Sequence, residues 1–360
     1  MFGVRRSEDT MREKRIMAAG LLLSMCVLSL CACGRQYPEA EDKIYVGVAY
    51  YDKSDTFLNQ FITCFQKEME KGETFDGNVT VTIRDAGSLQ QTQDDQVKEL
   101  IDAGCDVLCV NLVDRTDPSE IINYARENDV PIVFFNREPV AEDMLQWERL
   151  YYVGADARQS GVMQGELAAE AIQENPQIDR NRDGKIQYVV LEGEPGHQDS
   201  IIRTENAVNT LKNKGIELEK LSCGIANWNR AQAQNRMMQM ISQHQNKIEL
   251  VLANNDDMAL GAMDAYQKLN YTETALPAFF GIDGTDVGLE AVREAKLSGT
   301  VYNDKEGQAA AMAELAVAVV TGKGMEGIKF QDDKYIYLPY YKVTSDNVSD
   351  YSEESMPALQ

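Results

Sequence analysis

Residues 179–187 read DRNRDGKIQ, and their spacing is that of a loop built to wrap a hard cation. A calcium loop of the EF-hand type takes oxygen ligands from its positions 1, 3, 5, 7 and 9. It turns on a glycine at position 6 and closes with a bidentate carboxylate at 12. Asp179, Asn181 and Asp183 stand at 1, 3 and 5, Gly184 makes the turn, and Gln187 stands at 9. Lys185 occupies position 7, where the backbone carbonyl coordinates, so its side chain is free to point outward. Position 12 is Val190, inside the hydrophobic run IQYVVLEG, which reads as a strand rather than a second EF-hand helix. Either the loop binds nothing or the missing carboxylate arrives from elsewhere in the chain.

The elements around this loop alternate. Short apolar runs with the composition of buried strands begin at 43 (KIYVGVAY), 78 (NVTVTIRD), 106 (DVLCVNL), 131 (PIVFF), 151 (YYVGAD), 185 (KIQYVVLEG), 216 (IELEKLS), 248 (IELVLANN), 277 (PAFFGIDG) and 300 (TVYND). Between them lie amphipathic segments such as LNQFITCFQKEMEK and LQQTQDDQVKELIDAG, the second ending on Gly104 where a helix C-cap belongs. Strands that alternate with helices predict parallel sheets covered by helices on both faces. About ten strands exceed what one compact sheet commonly holds, which favours two lobes.

In parallel α/β sheets, ligands bind beyond the carboxyl ends of the strands. The polar residues of this chain cluster there: Tyr50 to Asp55, Asn111 and Asp114, Asn136 to Glu138, Glu194 to Asp199, Asn254 to Asp257, Asp283, and Asn303 with Asp304. A concentration of Asn, Asp and Arg with a few aromatics suits a polyhydroxylated ligand, because amides and carboxylates satisfy adjacent hydroxyls as acceptor and donor.

The chain of 360 residues is 44% hydrophobic, enough for two ordinary domains. It opens with MFGVRRSEDTMREKRIMAAGLLLSMCVLSLCACG: a basic segment, an apolar run from Ile16 to about Ala32, then small residues and Cys. That is the order of a secretory signal, and the run is short for a membrane span of roughly 20 apolar residues. Leu30-Cys31-Ala32-Cys33-Gly34 resembles a bacterial lipobox, with Cys33 the residue to be acylated; a plain signal peptide without lipid is the other reading. Removing residues 1–32 takes away five Lys/Arg and three Asp/Glu, so the remainder carries about −25 against −23 for the whole chain. Such acidity disfavours nucleic acid and anionic lipid as partners and suits a self-repelling monomer. Cys64, Cys105, Cys109 and Cys223 lack the spacing of a zinc site and read as free, buried thiols, with a disulfide the other reading.

Ten segments, VGVAYYDKSDTF, VNLVDRTDP, VPIVFFNREP, YYVGAD, DRNRDGKIQY, EGEPGHQD, ANWNRAQAQ, IELVLANND, FFGIDG and GTVYND, resemble in order and spacing the periplasmic galactose/glucose-binding proteins of sugar ABC transporters. The likeness spans residues 43 to about 343. It implies a type I periplasmic-binding-protein fold, α/β, with two doubly wound parallel-sheet lobes joined by a three-segment hinge. The implied division is a signal peptide with lipobox over 1–32, a linker over 33–42, and a first lobe of 43–131 with 304–337. A second lobe of 132–303 with 338–346 carries the calcium loop, and 347–360 forms a tail. The hinge is expected near Val130 to Ile132, Tyr302 to Asp304 and Tyr337 to Tyr341.

The residues that the resemblance assigns to hexose contacts are Tyr51, Asp55, Phe57, Asn111, His197, Asp199, Arg203, Trp228, Asn255, Asp283 and Asn303, all present in their motifs. Phe57 and Trp228 would stack on the two faces of a pyranose and the polar groups would meet its hydroxyls. Asp55 corresponds to the position facing the 4-hydroxyl, so both galactose and glucose are expected. The resemblance also supplies the missing calcium ligand, Glu249 in KIELVLANN, which implies a permanent structural calcium ion away from the sugar.

The implied function is a non-enzymatic, extracytoplasmic binding protein of a bacterium, anchored to the membrane by its N-terminal lipid. It captures a monosaccharide by lobe closure and hands it to an ABC transporter permease. Two alternatives stand beside it: a sensor that presents sugar to a chemoreceptor or sensor kinase, and a glycoside-processing enzyme using Asp55, Asp199 and Asp283 as paired carboxylates. A repressor core of the same fold is disfavoured by the signal sequence and the missing helix-turn-helix.

Overall fold

The computed structural model of the protein describes residues 43–71 and 78–351. The leader, the lipobox with Cys33, the 33–42 linker and the tail from residue 352 lie outside the described residues. Ten strands sit where the apolar runs put them: β1 Lys43–Tyr50, β2 Asn78–Asp85, β3 Val107–Val110, β4 Ile132–Phe135, β5 Leu150–Ala155, β6 Ile186–Glu192, β7 Leu218–Ile225, β8 Leu250–Ala253, β9 Ala278–Phe280 and β10 Thr300–Asn303. Two more, β11 Tyr335–Leu338 and β12 Tyr340–Val343, have no counterpart among the expected strands. They are four-residue pieces on either side of Pro339, too short to show a period.

The helices between them are α1 Thr56–Glu70, α2 Gln90–Asp102, α3 Ser119–Glu127, α4 Ala141–Met144, α5 Ala157–Glu174, α6 Gln198–Asn213, α7 Arg230–His244, α8 Asp256–Lys268, α9 Asp286–Arg293 and α10 Lys305–Thr321. α1 shows the local logic. Asp55 caps its start, its side chain accepting from Leu58 N, while Phe57, Leu58, Phe61, Ile62, Phe65 and Met69 recur at helical spacing and are buried.

Two parallel sheets result. The first has the order β11-β5-β4-β3-β1-β2 and the second β7-β6-β8-β9. β10 runs beside the second sheet through the Phe280–Gly299 and Asp283–Tyr302 bridges and pairs antiparallel with β12. Each sheet has an apolar layer on both faces. Val46, Val48, Cys109, Val133 and Val153 pack against α1 and α10 on one side of the first, and Leu108, Val110, Ile132 and Phe134 pack on the other. In the second, Val189, Leu191 and Val251 face α7 and α8, and Tyr188, Val190 and Leu252 face α5 and α6. Strands buried on both faces carry no polar alternation, which is why they read as continuous apolar runs.

The pairing corrects one boundary. β4 and β5 belong to the first sheet, β4 beside β3 and β5 beside β11, so the first lobe extends to about residue 155 and does not end at 131. The chain passes between lobes after β5, near Asp156. It passes again between Asn303 and Lys305, entering α10, and between Leu338 and Tyr340, around Pro339.

The cysteines correct another expectation in part. All four are free, but only Cys105 and Cys109 are buried; Cys64 is half-buried and Cys223, on edge strand β7, is exposed. Burial pushes the Cys105 thiol up to about 12, and it pushes Cys223 up to about 11 with Glu192 beside it. Iodoacetamide applied to the native protein at pH 8 and read by peptide mass spectrometry is therefore expected to label Cys223 well before Cys105 and Cys109, which react on unfolding. Equal labelling of Cys109 and Cys223 in the native state would contradict this packing.

Candidate functional site

Loops from the carboxyl ends of both sheets surround one cavity, lined by Tyr51, Asp55, Phe57, Asn136, Arg137, His197, Asp199, Arg203, Trp228, Asn255 and Asp283. Tyr51, Asp55, Asn136 and Arg137 come from the loops after β1 and β4 of the first lobe and Phe57 from the first turn of α1, and the rest come from the second lobe. Three of them end helices. Asp55 Oδ1 accepts from Leu58 N (2.9 Å), His197 Nδ1 from Asp199 N (3.2 Å), and Asn255 Oδ1 from Met258 N (2.9 Å). Each satisfies one orphan N–H at a helix start while the rest of the side chain stays at the cavity.

Trp228 is held by a strained turn. Asn227 and Trp228 both adopt left-handed backbone, with φ of 49° and 60°, and Asn136 (59°) and Asp283 (112°) do so elsewhere around the cavity. Non-glycine residues take that region at a cost of about 1–3 kcal/mol, held in place by the surrounding structure. Here Asn255 Nδ2 donates to Trp228 O (3.1 Å), His197 meets the indole edge-on at 5.1 Å between centroids, and the Arg203 guanidinium lies 5.8 Å from the ring. The indole rests on Gly193, where an added Cβ would come within 2.2 Å of it.

Two arginines set the charge. Arg203 is buried, donates from Nη1 to Asn254 O (2.8 Å) and from Nη2 to Tyr340 Oη (3.1 Å), and stands 3.6 Å from Asp283 and 3.7 Å from Asp199. Burial raises Asp199 and takes Asp283 well above the ordinary carboxylate range, with Arg203 opposing in both. Burial, with Arg137, Arg203 and Arg115 adding to it, holds His197 well below its usual value. His197 is thus neutral, and since its Nδ1 accepts from a backbone N–H, its proton sits on Nε2 as a donor.

Arg137 supplies the other charge. It is buried and donates from Nη1 to Val113 O (2.8 Å). Its guanidinium lies 3.6 Å over the Tyr51 ring, and Nη2 reaches Glu194 of the second lobe at 2.8 Å. Thr56 Oγ1 donates to Asp257 Oδ2 (2.6 Å), a second direct contact between the lobes. Two donors at the cavity, Arg203 Nε and Trp228 Nε1, are buried with no acceptor among the described residues. Each unmet donor costs about 1–3 kcal/mol, so a ligand with oxygens at those points would be favoured.

The structure brings most of the expected contacts to this cavity and sets two behind its wall. Asn111 is buried, accepting from Tyr51 N (3.3 Å) and donating to Phe135 O and Asn136 Oδ1 (both 3.1 Å), so it orients the loops that line the cavity. Asn303 is buried too. Its Oδ1 accepts from Gln308 and its N–H donates to Asp283 O. Asn136 and Arg137 line the cavity and were not among the expected contacts; their place just after a parallel strand was the only signal. Asn254, also outside that set, accepts from Gly193 N and Ser200 Oγ (both 3.1 Å) and so joins the seat of Trp228 to α6.

A family model described as a periplasmic binding protein domain matches residues 46–324. The chain belongs to the periplasmic binding protein family. It is 36% identical over 309 residues to the D-galactose/methyl-galactoside binding periplasmic protein MglB of Haemophilus influenzae, covering 85% of this chain and 91% of that protein. It is 30% identical over 299 residues to a putative rhizopine-binding protein of Rhizobium meliloti, covering 82% and 89%. Among solved structures, an ABC transporter solute binding protein from Bacillus halodurans with bound myo-inositol superposes with a TM-score of 0.72 at 27% identity, covering 87% of this chain and 98% of that one. The type I fold of two parallel-sheet lobes is that of this family.

The 179–187 loop of this periplasmic binding protein is held by its own side chains and by Glu249. Asp179 accepts from Asp183 N (3.2 Å) and Gly184 N (3.0 Å), and Asp183 Oδ1 from Lys185 N (2.9 Å). Glu249, nearly fully buried, crosses to it from the residue before β8, accepting from Arg180 N (2.7 Å) and Gln187 N (3.1 Å). The amide groups of Asn181 and Gln187 donate to Asp183 Oδ2 (both 3.0 Å), so each turns its NH2 end toward that carboxylate. Rotating the amides presents oxygens there instead, and Lys185 is exposed as expected. Among the described residues no three Asp, Glu, His or Cys side chains gather closely enough to hold a metal by themselves, so the amide oxygens and the Lys185 carbonyl have to complete any shell.

Gly193→Ala would drive a methyl into the Trp228 indole. In a Trp147→Phe background, where Trp228 is the remaining tryptophan, its emission is expected to shift to the red as the indole leaves its seat. Emission unchanged from the Gly193 protein would contradict the packing.

Proposed function

We propose that this protein captures a hexose, galactose or glucose, between its lobes outside the cytoplasmic membrane and delivers it to the permease of an ABC transporter without chemical change. The observation that carries the reading is that Phe57 from α1 and Trp228 from the β7–α7 turn, rings of opposite lobes, line one cavity whose remaining walls are hydrogen-bonding groups. A pyranose has two apolar C–H faces and a polar rim, and the cavity has the complementary division. His197 Nε2, Arg203 Nε and Trp228 Nε1 supply donors, and Asp55, Asp199 and Asp283 supply acceptors. The similarity to a galactose-binding relative over nearly its whole length supports the choice of hexose. Acylation of Cys33 would tether the protein to the membrane.

The 179–187 loop with Glu249 would hold a structural calcium ion through Asp179, Asn181, Asp183, Gln187, Glu249 and the Lys185 carbonyl. Glu219 adds a carboxylate 3.1 Å from Gln187 Nε2. The ion supplies charge that stitches the loop to β8. The chain's own part is to bring Glu249 across from a separate strand, in place of the residue at position 12.

Calorimetric titration with galactose, glucose, ribose and xylose tests the sugar. Galactose and glucose are expected to bind, and Trp228→Ala to weaken both at least about tenfold, the equivalent of about 1.4 kcal/mol. Heat from a pentose with none from either hexose would contradict the assignment. For the ion, a chelator is expected to lower the melting temperature, and Glu249→Gln to lower it alike and abolish the chelator's effect. A melting temperature indifferent to both would remove calcium from the account.

A further inference from the structure

Asp256, the first residue of α8, is a fully buried carboxylate with no ion pair among the described residues. Its Oδ1 accepts from Thr300 Oγ1 (2.5 Å), and its Oδ2 accepts from Thr285 N (2.8 Å) and Thr285 Oγ1 (3.3 Å). Its own N–H donates to Ile282 O (2.8 Å). Two glycines make room for it. A Cβ on Gly281 would come within 2.2 Å of Oδ1, and one on Gly288 within 2.2 Å of Oδ2. The carboxylate therefore has one position, and three stretches of chain converge on it.

Those stretches carry the second lobe's recognition groups. Asn255 precedes Asp256 directly. Asp283 lies between Ile282 and Thr285, two of the residues Asp256 binds, and its N–H donates to Val301 O (2.8 Å), one residue beyond Thr300. Asn303 N donates back to Asp283 O (3.0 Å). We propose that Asp256 is a positioning residue for ligand capture: its carboxylate binds the start of α8, the turn after β9 and the first residue of β10 into one unit, fixing Asn255 and Asp283 at the cavity.

A carboxylate suits this task better than its amide. Three donors point at two oxygens, whereas an amide would offer one oxygen and turn its NH2 either against the Thr285 N–H, which cannot accept, or toward the Thr300 hydroxyl, which would have to reverse from donor to acceptor. Burial pushes the Asp256 carboxyl up to about 7 while the Thr300 and Thr285 hydrogen bonds oppose the rise, so the charged form depends on the three donors it organises. Asp283, with φ of 112°, is in backbone a non-glycine residue holds only when its surroundings insist, and the tie supplies that insistence.

The inference rests on the sugar-capture reading, and one experiment separates the two. Galactose affinity is measured by calorimetry for wild type, Asp256→Asn, Asp283→Asn, Phe57→Ala and the double variants pairing Asp256→Asn with each of the others. If Asp256 acts through the second-lobe contacts, Asp256→Asn weakens binding about tenfold or more alone and in the Phe57→Ala background. In the Asp283→Asn background its cost is smaller by about threefold or more, because one of the two contacts it positions is already lost. A merely stabilising role would give the same loss in both backgrounds, or an affinity within twofold of wild type, and either overturns the proposal. Where Asp256→Asn does not fold, Thr300→Val, which removes one of the three donors and lies outside the cavity, takes its place in the same cycle under the same criterion. Wild-type protein that binds no hexose overturns the functional reading and the positioning role together; wild-type binding with background-independent losses overturns the positioning role alone.

Discussion

Parallel strands put each strand's carboxyl end, and the amino end of the helix that follows, on one edge of the sheet. Everything at the cavity depends on that constraint. The helix starts bring orphan N–H groups to the same edge, and Asp55, His197 and Asn255 satisfy them with one atom while keeping another at the cavity. Side chains fixed as caps lose little freedom on meeting a ligand, which is the advantage of a preorganised site. Loops that had no helix to cap would leave the same residues mobile.

The charge inside the cavity is nearly balanced although the chain carries −23 overall. Asp55, Asp199 and Asp283 face Arg137 and Arg203, and burial keeps His197 neutral. An anionic ligand would meet three carboxylates and a cationic one two guanidinium groups. A neutral polyol meets donors and acceptors in alternation without bringing uncompensated charge into a buried space. Arg137 has a second task, since its contact with Glu194 joins the lobes directly on one side of the cavity and the Thr56–Asp257 hydrogen bond joins them elsewhere. Both bonds join groups held by separate sheets.

Much of this was legible in the sequence because buried parallel strands announce themselves as apolar runs with polar residues at their ends. VLCV, IVFF and LVLA could hardly be anything else, and their following loops held the candidate contacts. Which sheet a strand joins was not legible. β4 and β5 are apolar runs of the kind both lobes carry, and only their pairing with β3 and β11 places them in the first. β11 and β12 escaped notice because Pro339 cuts the segment into two short pieces. Depth was equally hidden: Asn111 and Asn303 sit in the same kind of strand-end position as Asn255, yet only the packing around them shows that their side chains serve neighbouring chain and not the cavity. Arg137 was missed for the converse reason. A long side chain after a strand can turn either way, and its seat on the Tyr51 ring is a matter of tertiary contact.

The most direct test of the account is a crystal structure grown with galactose. It predicts one sugar ring between the Phe57 and Trp228 side chains, with oxygens within hydrogen-bond distance of Arg203 Nε and Trp228 Nε1. A sugar bound elsewhere, or in the cavity without either ring against its faces, would contradict it.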